Sequence, residues 1–294
     1  MPRRDEAVPF RWDVARREQL GRLLEAELPP IPPWSAGPGL RGLLPELRPC
    51  AAGVVARAGD ARLVFVGRSL ENVFDYLSGI LSDTEWRNRC ELLLVSLRKN
   101  DDRGSNAARA QLRAQFVAVG LAPDQIATSP RPVCFVDLVH SGTTFGRLSE
   151  ELARWARDEG VDVNAVRRRM RFVGITTRGK NSPNAWRWFQ RVDWRNDYPR
   201  SALRGLSLPY WTWTTWGDSQ EKTVPSHSQS RWGSDDMHQP PRDPEHLRAL
   251  RLAVKLHERG RTREERERFC AQLVGRPEMR EPWLRSLVVQ IRAR

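Results

Sequence analysis

Lysine is scarce in this chain, with four residues (Lys99, Lys180, Lys222 and Lys255) among 49 basic side chains. Arginine carries the rest, a bias that GC-rich codon usage explains as readily as any functional demand. Cysteine is equally sparse. Cys50, Cys90, Cys134 and Cys270 stand singly, with no C-x-x-C and no histidine at ligand spacing. That argues against a structural zinc and against a disulfide framework, and leaves four small buried apolar residues as the expectation. Long hydrophobic runs are missing as well. Leu63 to Val66 and Leu92 to Val95 are among the longest, whereas a membrane-spanning helix takes about 20 apolar residues. Met1 to Glu6 has no apolar stretch behind its charges, so it does not read as a secretory signal, and the expected location is the cytoplasm. No G-x-x-x-x-G-K-[ST] occurs, which excludes a P-loop kinase.

What is present is an ordinary globular composition, 39% hydrophobic and 29% charged over 294 residues. This is enough to bury a sizeable core. The formal net charge is +13, which makes an anionic partner plausible without naming it.

Asp13 to Leu28 carries Val14, Leu20, Leu23, Leu24 and Leu28 at helical spacing behind a fair N-cap. Residues 29 to 49 hold seven prolines and read as a linker or wrapping arm, because proline removes helix donors. Four short continuous apolar runs follow: Leu63 to Val66, Leu92 to Val95, Val133 to Val136 and Phe172 to Ile175. Continuous runs suit strands covered on both faces, and the gaps leave room for one crossover helix each, so an α/β fold with a parallel sheet is expected. Ser69 is placed to cap a helix carrying Val73, Phe74 and Leu77; residues 106 to 119 form an Ala-rich helix ending at Gly120; Thr144 to Glu159 form one ending at Gly160. Past residue 242 the chain reads as helical: residues 245 to 258, then a helix opened by a Thr262 to Glu265 capping box, then one starting at Pro282 with Leu284, Leu287, Val288 and Ile291. The division expected is an N-terminal helix and Pro-rich arm (1–54), an α/β core (55–180), a Trp-rich loop or hood (181–242) and a C-terminal helical extension (243–294).

The most informative stretch runs from Val133 to Thr144, V-C-F-V-D-L-V-H-S-G-T-T. A buried strand delivers Asp137 to the carboxyl edge of the sheet, and the turn then enters a helix N-terminus, where free amides and the helix dipole favour a phosphate. Gly142 permits close approach, and Ser141, Thr143 and Thr144 add hydroxyls. This segment resembles the PRPP-binding signature of the type I phosphoribosyltransferases, in which an apolar strand leads to two acids, an apolar spacer and a Thr-Gly-x-Thr phosphate loop. The resemblance extends to order along roughly residues 55 to 180. Leu63 to Ser69 sits where that family has its pyrophosphate-contacting loop, and Ser96 to Gly104 sits where orotate phosphoribosyltransferase carries a mobile Arg-Lys loop.

The resemblance implies a phosphoribosyltransferase-type core with helices on both faces of the sheet, binding PRPP or a related phosphosugar or nucleotide with magnesium. It assigns His140, Ser141, Gly142, Thr143 and Thr144 to the sugar phosphate, Asp137 to the ribose or the metal, and Gly67, Arg68 and Ser69 to the pyrophosphate. Asp137, Arg98 and Lys99 would be the catalytic residues. The chain departs from the pattern at Leu138, where the family has its second acid, and at Ser141, where threonine is usual. A non-catalytic nucleotide-sensing or nucleic-acid-binding module is the alternative. For the latter, Arg167, Arg168, Arg169, Arg171, Arg178, Lys180, Arg187, Arg191, Arg195 and Arg200 interleave with Trp186, Trp188 and Trp194, a pattern that either holds single strands by stacking or anchors a long loop on the core. Trp211, Trp213 and Trp216 suit either an edge strand or a hood over a nucleobase.

Overall fold

The structure is a computed structural model, and it describes residues 7–25, 27–29, 40–97, 106–181, 187–232 and 234–293. Its centre is a five-stranded, wholly parallel sheet built from β1 (Arg62–Val66), β2 (Cys90–Leu93), β3 (Val133–Leu138), β4 (Met170–Thr177) and β5 (Leu203–Leu208). The first four coincide with the continuous apolar runs, with β2 two residues earlier than the run from Leu92 suggests. The expected α/β class with helices flanking a parallel sheet is what is observed.

The spatial order is β2-β1-β3-β4-β5. The chain steps outward from β1 to β2, then returns past β1 to β3 and continues the other way, so the winding reverses between β1 and β3. Reversal at constant crossover hand puts the connecting helices on opposite faces. Accordingly, α1 (Arg17–Glu25) is peripheral, while α2 (Leu40–Ala58) and α3 (Glu71–Ile80) pack on one face of the sheet. The other face carries α4 (Asn106–Ala118), α5 (Pro123–Thr128), α6 (Thr143–Asp158) and α7 (Val163–Arg168). Among the described residues, the β4 to β5 crossover has no long helix. Trp188, Phe189, Trp194 and Tyr198 take its place on the second face.

After β5, a short helix α8 (Tyr210–Thr214) opens into a π-helical turn, Thr215–Ser219. The C-terminal helices α9 (Pro244–Arg261), α10 (Arg263–Val274) and α11 (Pro282–Arg292) then close the first face. Phe269, Leu273, Leu284 and Leu287 share one apolar cluster with Leu47, Val54 and Leu77.

Several expectations change. Residues 40 to 49 are helix, not arm, because α2 runs through Pro45 and Pro49. The two missing backbone bonds are outweighed by an apolar face in which Leu47, Ala51, Ala52, Val54, Val55 and Ala58 are completely buried. The boundary at residue 54 thus falls inside a helix. The first helix is shorter than its periodicity, since Asp13 accepts from the Ala15 amide and closes a separate turn. The N-cap before α3 is Leu70 rather than Ser69. Thr262 does cap α10, yet Glu265 does not return the bond. Its buried carboxylate instead takes Arg48, Tyr76 and Arg259. Trp211, Trp213 and Trp216 are helical rather than on a strand.

Candidate functional site at the topological switch point

In a parallel sheet the loops that leave adjacent strands in opposite directions open a crevice at the carboxyl ends of those strands. Here the loops are those after β1 and β3. A cavity of about 200 Å³ lies there, lined by Gly67, Arg68, Ser69, Asp137, Leu138 and Thr144, with Ser96 after β2 and Gly217, Lys222 and His227 from the segment after β5.

Gly67 receives the turn at the end of β1. Its φ is +72°, its amide donates to Leu93 O at 2.8 Å, and a Cβ would lie 3.4 Å from Val95 O. Arg68 then crosses the cleft and donates to the carbonyl of Val224 at 2.7 Å. Asp137, near the carboxyl end of β3, is 6% exposed and accepts the Leu138 amide at 2.8 Å. Thr144 stands in the first turn of α6, whose opening amides lie outside the intrahelical ladder. Leu138 packs against the apolar cluster of the first face.

Sequence reasoning missed Lys222 and His227. The segment that carries them is held from α3: Glu71 accepts both the amide and the hydroxyl of Thr223, and Arg11 bridges Thr223 to Asp75. Lys222 Nζ donates to Trp216 O at 2.5 Å, and burial lowers its pKa to about 8. His227 is 4% exposed, and neither ring nitrogen has a hydrogen-bond partner among the described residues. Burial, reinforced by Arg231 and Arg68, lowers its pKa to about 4, so the ring is neutral at ordinary pH. It presents one donor and one acceptor beside two cations. The available signal was the rarity of lysine, which made Lys222 conspicuous; nothing in the order of the residues joined it to β1.

The sugar-phosphate loop is divided. Thr144 faces the switch-point cleft, but Ser141, Gly142 and Thr143 line a neighbouring cleft of about 580 Å³ with Arg147, Arg191 and Trp194. Ser141 and Thr143 share a hydroxyl hydrogen bond of 2.8 Å. At Gly142, with φ +81°, the close approach is made by Trp188: an added Cβ would lie 3.0 Å from its Cε3 and 3.2 Å from Val192 Cγ1. His140 is exposed, its ring 6.3 Å from that of Trp213, outside both clefts. Arg98, Lys99 and Trp186 lie outside the described residues. Trp188 and Trp194 interlock with Phe145, Phe172 and Tyr198, which anchors the crossover on the second face, while Trp194 also lines the neighbouring cleft.

No three histidine, cysteine, aspartate or glutamate side chains group as a metal cage among the described residues. Nor does any described helix have the length and apolarity to cross a membrane. Comparison with known protein families, with curated proteins and with solved structures gives no match to this chain.

Proposed function

We propose that this chain is a phosphoribosyltransferase-like protein whose switch-point cleft binds PRPP, or a related phosphosugar or nucleotide, with magnesium. One observation carries the reading: the glycine turn after β1 and the acid-bearing end of β3 line a single cavity with Arg68 and Lys222. In the family that the β3 segment resembles, those two loops serve the diphosphate and the sugar phosphate.

On this reading Arg68, Ser69 and Lys222 take the diphosphate, whose charge two cations and a hydroxyl offset in a site of low dielectric. Asp137 takes the ribose hydroxyls. Thr144 and the first amides of α6 take the 5′-phosphate, with Ser141 and Thr143 on the far side of the turn. Magnesium fits this donor set as a substrate-borne ion, since one carboxylate plus phosphate oxygens is a coordination it accepts. Asp137 would hold it, and its contribution is to neutralise the diphosphate.

The corresponding reaction breaks the C1–O bond, the pyrophosphate oxygen keeping the electron pair, and forms a C1–N bond to a base nitrogen that sheds its proton to solvent. Arg68 and Lys222 act where negative charge develops on the leaving group. No strong base is required. Leu138, half-buried against the apolar layer and lining the cleft where the family has an acid, favours the second reading, a sensor that binds the same ligand without turnover.

Calorimetry with PRPP and magnesium tests the proposal. Saturable heat is expected from the wild type, with affinity weakened about tenfold or more by Arg68→Ala and by Asp137→Ala. Absence of heat from the wild type contradicts it. Pyrophosphate release with any nucleobase separates the transferase from the sensor.

A further inference from the structure

Among the described residues strand β5 pairs only with β4, and Gly205 to Leu208 of β5 line a cavity of about 380 Å³ that shares no lining residue with the switch-point cleft. Arg57, Arg178, Arg187 and Arg276 line it, facing one lining carboxylate, Glu46. These arginines come from four separate stretches of chain: α2, the turn after β4, the aromatic crossover and the loop after α10. Their meeting is therefore a product of the fold and not of an arginine run.

The charge is poorly offset. None of the four forms an ion pair with an acid among the described residues. The Nε atoms of Arg57 and Arg276 are buried without a hydrogen-bond partner, although Arg276 Nη2 donates to Pro49 O at 2.7 Å. Burial lowers the pKa of both guanidinium groups, Arg204 and Arg187 lower Arg57 further, Arg57 lowers Arg276 further, and Glu278 only partly opposes this. Arg57 and Arg276 are half-buried and Arg178 and Arg187 exposed, and Glu46 and Glu278 offset only part of these like charges, so an anion between the four guanidinium groups relieves a mutual repulsion that the folded chain otherwise carries.

We propose that this cavity is a second anion site, which takes a compact polyphosphate. Guanidinium groups present forked donors that match phosphate oxygens two at a time. No aromatic side chain among the described residues lines the cavity, and its forked donors suit phosphate groups rather than a base. A free polyphosphate and the phosphate tail of a nucleotide share this chemistry.

The test is a magnesium-free titration of tripolyphosphate into the full chain carrying Arg68→Ala and Lys222→Met, which removes the cations of the first cleft. Saturable binding is expected to persist in that background and to weaken about tenfold with each of Arg178→Ala and Arg187→Ala, both being exposed positions where folding tolerates truncation. ATP binding as tightly as tripolyphosphate points to a nucleotide tail, and weaker ATP binding to a free polyphosphate; both support the site. Loss of all binding in the starting background overturns the proposal, as does unchanged affinity after the two truncations. Binding of a single-stranded oligonucleotide without binding of tripolyphosphate overturns it too. Independently, Arg57→Met is expected to raise the melting temperature of the unliganded protein and to abolish the further rise that tripolyphosphate produces in the wild type. A lower melting temperature with the ligand-induced rise intact would overturn it.

Discussion

Lys222 shows how a single side chain ties the cleft to pH. Its folded pKa of about 8 lies below the ordinary 10.5 because burial disfavours the ammonium. Between those values the unfolded chain holds the proton and the folded chain does not, so unfolding free energy rises with pH across that window. Chemical denaturation from pH 7 to 10.5 should show this rise, and Lys222→Met should flatten it. Ligand binding runs the other way: a phosphate needs the ammonium, so PRPP affinity is expected to fall above about pH 8 in the wild type and to lose that step in Lys222→Met. Gly142 carries a different lesson. Its sequence setting suggested room for a phosphate, while its neighbours at the Cα are Trp188 and Val192. Gly142→Ala should therefore cost stability, about 2 kcal/mol from the positive φ and the crowding together, read as a shift in the denaturation midpoint. Asp137, Gly67, Arg68 and Thr144 were legible because each sits within a few residues of an apolar strand. Lys222 and His227 were not, because only the return of the chain after β5 brings them to β1.

At the scale of elements, the strands that lie between two helical layers announced themselves. Val133 to Val136 is apolar throughout because both of its faces are covered. β5 is neither continuously apolar nor regularly alternating, with Arg204 exposed and Gly205, Leu206 and Ser207 half-covered, and an edge strand of that composition is hard to tell from loop. Its crossover was illegible for a related reason: interlocked rings do there what an amphipathic helix does elsewhere, and rings have no period. Pro45 and Pro49 misled in the opposite sense, since local propensity argued against a helix that burial enforces. The packing of α3 against α9 is another case in which local preference and tertiary structure oppose each other. A Cβ at Gly79 would lie 2.0 Å from His257 O, and one at Gly260 would lie 2.6 Å from Tyr76 O. Replacing a helical glycine by alanine ordinarily stabilises by about 1 kcal/mol, yet here the backbones touch. Gly79→Ala and Gly260→Ala should each destabilise by about 2 kcal/mol or more. The double variant should lose less than the sum, because both substitutions separate the same pair of helices. Equilibrium unfolding of the three variants measures this.

For the whole molecule, the segments outside the sheet are braces for the cleft. Arg11 reaches from the N-terminal segment to both oxygens of buried Asp75, at 2.6 and 2.8 Å, and to Thr223 beside Lys222. The C-terminal helices complete the apolar layer on which α3, and through it Glu71, is seated. The composition showed a globular, basic, parallel α/β chain; it did not show that both ends of the chain return to support one crevice, since contacts so distant in sequence leave no local pattern. The proposed ligand lies at the winding reversal, and amide hydrogen exchange with and without PRPP and magnesium reads that position directly. Slower exchange confined to the amides of residues 67 to 70 and 143 to 145 and to the segment around Lys222 and His227 is the result this structure predicts. Protection elsewhere, with those amides unchanged, would contradict it.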